Sequence, residues 1–581
     1  MSLRWVYAKP DDGEAVFRLR RELGVSETIA RLLAIRGVTT FNQAKAFFRP
    51  TAGLMHDPFL MKDMGKAASR LAHAIRNHER VLVYGDYDVD GTTATAIMYS
   101  FLKNFGVHVD YYIPHRFKDG YGISIDGIEE AKKSGAKLIV SVDCGITAVE
   151  EAKMAKKLGL DLIICDHHNA GPEIPDCVAV LDPKRPGCTY PFDGLSGAGV
   201  GFKLTQATLK ELGLPMETAN QYLDLVALSI ASDIVPIVDE NRVLMRLGLE
   251  KLNTNPRIGL RVLADHIKMG IGKISTSQIV FSIGPRINAA GRMGDAKLAV
   301  ELMITDSENE AITFATELEA VNMRRRDTDN LTMEKAMVLI DSHYDMDKSS
   351  SVVLHDPEWH LGVIGIVASR LVDIYCRPTV MLSTVDGMVK GSARSIKGFN
   401  IYNALKECDD LLVQFGGHEF AAGLTLDAKD LDAFKERFEE IVMERLGLDE
   451  QDPELIIDAD LNLGDIKPIF WKQLSQFEPY GPQNLKPIFV SRNLRVVGNP
   501  TVVGNGHLKM KVAQNGTTPL DAIGFNMHKF LPDVRECGEG GLNLAYVLEE
   551  NTWNNRTNLQ MRLKDIKIGD EALKPQSAGS K

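Results

Sequence analysis

Apolar and polar positions alternate in blocks between residues 81 and 183. Nearly continuous apolar runs occupy residues 81–84, 138–142, 162–165 and 178–181, and the apolar residues of segment 94–105 recur every three or four positions. A continuous apolar run is typical of a strand buried on both faces, and the three- to four-residue repeat is typical of a helix. The pattern predicts an α/β fold, with a doubly wound lobe built on a parallel sheet.

Further blocks follow this first lobe. Residues 305–345 are polar with a helical repeat, which predicts a long connecting helix, and residues 346–450 predict a smaller α/β lobe. Beyond them, segments 508–512 and 559–563 alternate with a period of two, which predicts a C-terminal β-barrel. We therefore expect an N-terminal segment (1–50), the first lobe (51–304), the connecting helix (305–345), the smaller lobe (346–450), the barrel (455–570) and a tail (571–581).

Composition narrows the class of protein. The chain has 581 residues, 44% hydrophobic and 25% charged, which suits several folded domains. Seven cysteines without a Cys-x-x-Cys pair indicate neither a disulfide framework nor a structural zinc site. The sequence shows no signal-peptide pattern and no run of about 18 uncharged apolar residues, so we expect a cytoplasmic protein that does not span a membrane. Because the net charge is −11, a polyanionic substrate must be held locally, by metals or by a basic groove.

Acidic residues follow the predicted strands. Asp86, Asp143, Asp166 and Asp182 each come at or just after the end of an apolar run. Ligands of open α/β sheets bind beyond the carboxyl ends of the strands, so we expect acids there to serve the binding crevice. For Asp182 we keep the simpler interpretation, a turn residue.

The segment from Asp86 to Gly91 carries Asp86, Asp88 and Asp90 at alternate positions. Crowded carboxylates repel one another, and a divalent cation bound between them removes the repulsion. The segment is not an EF-hand loop, because no glutamate stands at position twelve after the glycine, and it is not a P-loop, because Gly-Lys-Ser/Thr is absent. The three crowded carboxylates therefore predict a metal site of another kind.

Two further elements add donors to this site. Asp166-His167-His168 places imidazole nitrogens beside carboxylates, a mixture that suits manganese, zinc or iron better than calcium. One histidine can bind metal while its neighbour donates to a substrate phosphate. Asp233 follows an apolar, helix-like stretch and is a fourth acid.

Donors beside glycines are candidates for gripping a phosphate, because backbone amides can also approach it there. They lie in the segments 284–292, 391–394 and 416–418, with a weaker candidate before the segment 119–122. The candidate residues are Arg286, Asn288, Arg292, Ser392, Arg394, His418 and, more weakly, Arg116.

The order of these motifs, Asp-x-Asp-x-Asp-Gly, Ser-Val-Asp-Cys-Gly, Asp-His-His, Ser-Asp-Ile-Val-Pro and then Gly-Gly-His, resembles the DHH phosphoesterase superfamily and, within it, the RecJ branch. The resemblance covers about residues 50–570. It implies a DHH lobe, a DHHA1 lobe and an oligonucleotide-binding (OB-like) barrel around two divalent ions, Mn²⁺ or Mg²⁺. It further implies that Asp88, Asp90, Asp143, His167 and Asp233 are metal ligands and that Asp86 is a further ligand or supports one. Tyr84 departs from the pattern, because some relatives have histidine there.

The resemblance also implies a function. We expect a single-strand-specific 5′ to 3′ exonuclease that releases 5′ mononucleotides in DNA repair and recombination. Asp143 is the candidate bridging ligand, His167 belongs to the catalytic centre, and His168 is expected to stabilise charge in the transition state. The arginines are expected to read a terminal 5′ phosphate. A single strand with a free 5′ end, a helicase and a single-strand-binding protein are the expected partners, and a monomer is the expected state.

Three alternatives stay open at this point. A phosphodiesterase for short oligonucleotides, nucleoside bisphosphates or cyclic dinucleotides shares the metal motifs but does not need the barrel. An inorganic pyrophosphatase shares them too. A non-catalytic DNA-binding scaffold is disfavoured, because the carboxylates of all four elements are present.

Overall fold

The structure is a computed structural model, and the residues that it describes are 3–116, 120, 122–346, 348–446, 454–537, 540–553 and 556–569. The predicted tail, 571–581, lies outside them. The strands are β1 (Arg4–Tyr7), β2 (Val81–Tyr84), β3 (Val109–Tyr112), β4 (Leu138–Val142), β5 (Asp161–Cys165), β6 (Ala179–Leu181), β7 (Val352–His355), β8 (Thr379–Val385), β9 (Met388–Arg394), β10 (Gln414–Gly417), β11 (Ala421–Asp427), β12 (Glu454–Ile457), β13 (Ala459–Asp460), β14 (Phe489–Val503), β15 (His507–Ala513), β16 (Leu520–Gly524), β17 (Leu542–Trp553) and β18 (Arg556–Ile568).

The helices alternate with the strands of the first lobe and surround the two later sheets. They are α1 (Gly13–Leu23), α2 (Glu27–Ile35), α3 (Phe41–Phe48), α4 (Met64–Arg76), α5 (Val89–Asn104), α6 (Ile125–Ser134), α7 (Val149–Lys157), α8 (Gly197–Glu211), α9 (Leu223–Ser232), α10 (Asp239–Thr254), α11 (Ile258–His266), α12 (Thr276–Gln278), α13 (Gly284–Met293), α14 (Lys297–Ile304), α15 (Glu308–His343), α16 (Leu361–Tyr375), α17 (Ile401–Lys406), α18 (Leu431–Leu446), α19 (Pro468–Leu474) and α20 (Leu531–Glu536).

The chain divides into two compact units. The described residues of Pro58–Asp233 and Lys251–Gln451 form one, which we call the sheet unit. Those of Met1–Asp57, Ile234–Glu250 and Asp452–Lys581 form the other, which we call the barrel unit. The predicted domain boundaries along the chain stay predictions.

The sheet unit contains the predicted parallel sheet. Its strand order is β3-β2-β4-β5-β6, and all four pairings are parallel, with Val81 opposite Leu138 and Leu138 opposite Asp161. The connection from β2 leads to one side, to β3, and the chain then returns to β4 on the other side of β2. The strand order therefore reverses between β2 and β4, and ligands bind at such a switch point, beyond the carboxyl ends of the strands.

The four strands predicted from the apolar runs are confirmed, and the structure adds β3. This edge strand reads Val-Asp-Tyr-Tyr and is only partly buried. Because an edge strand is not covered on both sides, it lacks the continuous apolar run that reveals the inner strands.

A second sheet in the same unit has the order β10-β11-β9-β8-β7, with only β7 and β8 parallel. The predicted connecting helix is α15, which is 36 residues long and begins at the cap Ser307, whose hydroxyl accepts from the Glu310 amide. Arg286 on α13 forms a two-pronged ion pair with Glu319 on α15.

The barrel unit is built on a closed sheet. The strand order β14-β15-β16-β18-β17 closes through a further pairing of β17 with β14, and β16 runs parallel to β18. This order and closure are typical of an oligonucleotide-binding barrel. Residues of α2 and α3, such as Leu33 and Phe47, share one apolar core with Phe477 and Phe489 of the barrel region. The predicted α/β lobes, long helix and C-terminal barrel are thus confirmed.

No helix within the described ranges is both long and apolar enough to cross a lipid bilayer.

Candidate active site

The first group of site residues follows β2. Asp88 caps α5, and its carboxylate accepts from the Gly91 amide at 3.0 Å. Asp90 lies in the first turn of α5 and accepts from the amides of Gly197 (2.6 Å) and Ala198 (2.7 Å) at the start of α8. A Cβ atom on Gly91 would lie 2.5 Å from the Asp86 carbonyl oxygen, so the turn that brings Asp86 back towards α5 needs glycine.

The second group follows β4. Asp143 has a φ angle of 63°, a left-handed conformation that is uncommon for residues other than glycine and that clusters at functional sites. Its amide donates to the Cys165 carbonyl at 2.8 Å, which holds the turn against β5. A Cβ atom on Gly197 would lie 2.5 Å from Asp143 Oδ1, so α8 approaches this carboxylate as closely as glycine permits.

The third group follows β5 and is organised by Asp166. Asp166 Oδ1 accepts from the amide of His167 at 2.7 Å and from Nδ1 of His168 at 2.7 Å, while Oδ2 accepts from the Ile146 amide at 2.8 Å. Burial raises the pKa of Asp166, but the hydrogen bond and the charge of His168, together with the hydrogen bond from the Ile146 amide, outweigh burial and lower this pKa to about 2. The same pairing overcomes the burial of His168 and raises its pKa to about 9. His168 is therefore a fixed, protonated donor at neutral pH.

Acids from the first two groups and Asp233, at the end of α9, converge on His167 of the third group. Its Nε2 lies 3.2 Å from Asp143 Oδ1, 3.7 Å from Asp90 Oδ2 and 3.6 Å from Asp233 Oδ2. Burial lowers the pKa of His167 to about 4, so the ring is neutral at pH 7 and offers a lone pair. The three carboxylates therefore surround a neutral imidazole, which can bind a metal ion but cannot form an ion pair with them.

Burial and like charge act together on the acids. Burial, followed by the charge of a neighbouring aspartate, raises the pKa of Asp86, Asp88 and Asp143 above the usual range. The same causes raise the pKa of Asp233 to about 8. These shifts measure how strongly the cluster resists carrying its negative charges without a cation.

The donor set fits divalent metal ions. Among the described residues, Asp86 Oδ1, Asp143 Oδ1 and both ring nitrogens of His167 are buried without a hydrogen-bond partner. Three overlapping sets each bring their ligand atoms within 4.8 Å of one another: Asp143 with His167 and His168, Asp90 with His167 and Asp233, and Asp86 with Asp88 and Asp143. Since the second and third sets share no residue, the geometry suits more than one ion. All predicted metal-site residues are therefore brought together.

A basic pocket lies beside the acids and also contains Ser392. The guanidinium carbon of Arg116 stacks 4.2 Å above the Tyr87 ring, and Arg394 donates to the Ser392 hydroxyl at 2.8 Å. Burial, followed by the charge of Arg116, lowers the pKa of Arg394 and lowers that of Arg292 to about 10. Within the ranges that the structure describes, no carboxylate forms an ion pair with any of these three arginines. Clustered, unneutralised guanidinium groups suit a phosphate.

The other three predicted substrate-binding residues have different surroundings from the basic pocket. Arg286 is engaged by Glu319 and by the Ser282 carbonyl oxygen (2.7 Å), so its guanidinium joins α13 to α15 instead of entering the basic pocket. Asn288 accepts from the Val89 amide at 3.1 Å and braces the metal-site loop. His418 is exposed in the turn between β10 and β11.

Several contributors were not singled out from sequence. The amides at the start of α8 and the Ser229 hydroxyl donate to the predicted ligand Asp90, whereas Asp166, which the sequence did single out as a strand-end acid, orients His168. The glycine-rich Ser196-Gly197-Ala198-Gly199 was the available signal for the first of these. Tyr84, which departs from the family pattern, is buried, accepts from the Ser124 amide at 3.0 Å and stacks on Tyr112, so its side chain packs β2 against α6.

Family models match three consecutive stretches of the chain. They are the DHH family N-terminal domain at residues 80–230, the DHHA1 domain at residues 348–444 and the RecJ OB domain at residues 457–565. Together with the acids at the switch point of the parallel sheet, these matches define a DHH phosphoesterase.

The chain is also similar to whole proteins. It is 38% identical over 576 residues to a single-stranded-DNA-specific exonuclease RecJ of Bacillus subtilis, covering 98% of this chain and 72% of that protein. It is 33% identical to the corresponding protein of Escherichia coli, covering 93% and 95%. A crystal structure of Thermus thermophilus RecJ in complex with Mn²⁺ matches with a TM-score of 0.83 and 29% identity, covering 99% of this chain and 80% of that one. The chain belongs to the RecJ family of single-stranded-DNA-specific exonucleases, so the resemblance seen in the motifs is confirmed.

Proposed function

We propose that the chain is a metal-dependent 5′ to 3′ exonuclease that hydrolyses single-stranded DNA to 5′ mononucleotides. The observation that carries the proposal is the pairing of a carboxylate and imidazole cluster, in which Asp86, Asp143 and His167 keep buried atoms without hydrogen-bond partners, with a pocket of unneutralised arginines. The first can hold metal ions for phosphodiester hydrolysis, and the second can hold the terminal phosphate of a strand. The names of the relatives support the same activity.

Mn²⁺ or Mg²⁺ is the cofactor that the donor set and the metal-bound RecJ structures of Thermus thermophilus support. We propose that Asp86, Asp88, Asp90, Asp143, His167 and Asp233 hold two such ions, with Asp143 between them. Two bound divalent ions supply an activated water and neutralise the charge that develops on the attacking and leaving oxygens.

The remaining work falls to side chains that the fold fixes in place. His168, protonated and oriented by Asp166, donates a hydrogen bond to the phosphate and stabilises charge as it develops. Asp90 ties the start of α8 to the metal loop, so Gly197 stays against Asp143. Preorganised donors of this kind need no rearrangement at the moment of reaction.

The basic pocket determines the direction of degradation in this proposal. Arg116, Arg292, Arg394 and Ser392 bind a terminal 5′ phosphate, which places the first internucleotide bond over the acids. Because only this first bond reaches the acids, each hydrolysis releases one nucleotide. We keep His418 as a proposed contact of the strand, on the exposed turn beside β11.

The barrel is proposed to hold the rest of the strand. Lys509 and Arg562 lie on either side of Ile523 across paired strands, and Arg562 stacks over the exposed Phe525. Barrels of this class hold single strands by combining basic side chains with aromatic platforms.

The cellular setting follows from the substrate. We propose that the enzyme acts in the cytoplasm as a monomer, in DNA repair and recombination, on strands with a free 5′ end. Because only single strands are accepted in this proposal, a helicase that opens duplex ends and a single-strand-binding protein are the proposed partners. The division of the chain at about residues 50, 304, 345 and 450 is part of the same proposal.

The test is the release of nucleotides from single strands labelled at the 5′ or at the 3′ end, with Mn²⁺ or Mg²⁺. Mononucleotides that appear first from the 5′ label, and only with metal, would establish the proposed activity. Release first from the 3′ label would reverse the proposed polarity. Activity confined to dinucleotides or bisphosphates would assign the chain to the small-substrate phosphodiesterases instead.

A further inference from the structure

An exposed aromatic side chain lies in the turn that leads into α13. Phe281 is 77% exposed and lies in the π-helical turn Ile279–Ile283, whose end residues Ile279 and Ile283 are buried. A phenylalanine left in water forgoes the large gain from burying its ring, and π-helical turns are frequent at functional sites. None of the roles assigned above uses this side chain.

The turn is fixed to the loops that carry the acids. It continues directly into α13, where a Cβ atom on Gly284 would lie 2.9 Å from the hydroxyl of Ser232, the residue before Asp233. Further along α13, a Cβ atom on Gly291 would lie 2.2 Å from the Tyr87 carbonyl oxygen. The helix therefore lies tightly across the metal-site loops, and the position of Phe281 relative to them is set.

The residues along α13 follow the order in which a bound DNA strand would meet them, from its 5′ phosphate onward. Asn288 and Arg292 are four residues apart on α13, a spacing that places their side chains on one helix face, and Phe281 lies in the turn just before α13 begins. Arg292 reaches the basic pocket, and Asn288 braces the metal loop. At 1.5 Å per residue, Asn288 lies about 6 Å and Gly284 about 12 Å from Arg292 along the α13 axis, and Phe281 is three residues beyond Gly284.

We propose that Phe281 is a stacking platform for one base of the bound single strand, on the 3′ side of the cleaved bond. This inference rests on the proposed exonuclease function and adds a residue that grips the incoming strand. A strand whose 5′ phosphate is held at Arg292 passes the acids near Asn288 and then reaches Phe281. With about 3.4 Å per stacked nucleotide, and more when the strand is extended, the base at Phe281 is about the third to fifth.

The substitutions Phe281→Ala, Phe281→Leu and Phe281→Trp separate stacking from simple apolar contact. The measurement is kcat/KM with Mn²⁺ on a 5′-phosphorylated dinucleotide, which is too short to reach Phe281, and on a strand of about 20 nucleotides. We expect Phe281→Ala and Phe281→Leu to lower the ratio of the long-strand value to the dinucleotide value about fivefold or more, and Phe281→Trp to retain it, because a base stacks on an aromatic face. Phe17→Ala is the matched control, since Phe17 is 75% exposed on α1 and has no assigned role.

A scan of single abasic nucleotides gives a second readout. In the wild type, an abasic nucleotide at one position among the third to fifth should raise KM, whereas Phe281→Ala should respond equally at all positions. An unchanged ratio in Phe281→Ala and Phe281→Leu, or a position-independent response in the wild type, would overturn the proposal. If the wild type degrades no strand at all, the exonuclease function itself fails, and the two failures are distinguishable.

Discussion

Two places in this protein bury charged side chains, and they are built in opposite ways. In the barrel unit, Arg242 is 4% exposed, yet its guanidinium donates to five carbonyl oxygens and stacks 3.7 Å from the Phe47 ring. The acceptors are the carbonyls of Phe47, Gln476, Phe477, Glu478 and Pro479, at 2.9–3.4 Å. In the sheet unit, Asp86 and Asp143 each keep a buried oxygen without a partner.

The difference distinguishes a structural charge from a functional one. A buried charge with a full set of hydrogen bonds holds segments together. Removing it leaves the groups that it bonded buried without partners. Buried carboxylates that face one another need an ion from solution, and the fold is more stable without their charge until that ion binds. The two sites should therefore respond with opposite signs when their charge is removed.

The largest effect is expected from Asp143→Asn. Asparagine keeps the shape and tolerates the left-handed backbone, but it removes the central charge, so nuclease activity should fall at least about a hundredfold. In a chelating buffer the melting temperature of the variant should rise, because like-charge repulsion is relieved. Nuclease assays and thermal melting measure both.

Asp182→Asn is the matched control for this experiment. Asp182 is also buried, burial raises its pKa to about 7, and its Oδ2 likewise lacks a partner, but its Oδ1 accepts from the Lys184 amide in a turn and the residue belongs to none of the three ligand sets. Its substitution should leave activity within about twofold. A lower melting temperature of Asp143→Asn in chelator would show that the carboxylate is already satisfied.

Arg242→Met should destabilise the barrel unit by about 3 kcal/mol, because the carbonyls that it bonds would be buried without donors. Arg242→Lys should fall between, since an ammonium group has three donors instead of five. Urea unfolding measures the loss. Arg246→Met, at an exposed position one turn further along the same helix, should stay within about 0.5 kcal/mol of the wild type. Equal effects of Arg242→Met and Arg246→Met would contradict the structural role.

Stabilisation by Mn²⁺ should grow with pH. The folded-state pKa values of Asp86, Asp143 and Asp233 lie above their unfolded values, so their protonated forms favour the fold at low pH. As pH rises from about 4 towards 8, that contribution is lost in the metal-free protein. Mn²⁺ at a hundred times its Kd should raise the free energy of unfolding by about 2.7 kcal/mol. The increase should be larger at pH 8 than at pH 5, because protons compete with the metal at the lower pH. A shift in melting temperature that is independent of pH would contradict this.

The sequence predicted the acids of this comparison but not the arginine. Asp86, Asp88 and Asp90 are recognisable because alternate carboxylates after a strand have few purely structural uses, and the parallel sheet brings strand ends together. Arg242 is an ordinary arginine in a helical repeat. Its acceptors are main-chain carbonyls about 195 and 235 residues away, and no residue type marks a carbonyl in a sequence.

The same limit applies to site residues whose partners the sequence does not reveal. Arg286 and Arg292 are both arginines beside glycines, and only the position of Glu319 on α15 decides that the first is engaged elsewhere. The edge strand β3 and the amides that bind Asp90 depend on tertiary packing. Local pattern predicts what a segment is, whereas the partner of a side chain depends on distant segments.

The smallest effect is expected from Asp166→Asn, which tests a fully satisfied acid inside the functional cluster. Asp166 bonds the amides of His167 and His168, the ring of His168 and the Ile146 amide. Because it positions His168, its substitution should lower activity about 10- to 100-fold, the usual range for residues that orient a ligand or donor. Without the carboxylate the pKa of His168 should fall from about 9, so the alkaline limb of the pH profile should move to lower pH.

The stability of Asp166→Asn should change in the direction opposite to that of Asp143→Asn. The pKa of Asp166 is lowered in the folded state, so its contribution is present above the unfolded value of about 3.9 and is lost only as pH falls towards 2. At pH 7 the asparagine variant should therefore melt at a lower temperature in chelator, whereas Asp143→Asn should melt higher. If the two variants shift in the same direction, hydrogen-bond satisfaction does not separate structural from functional charge in this protein.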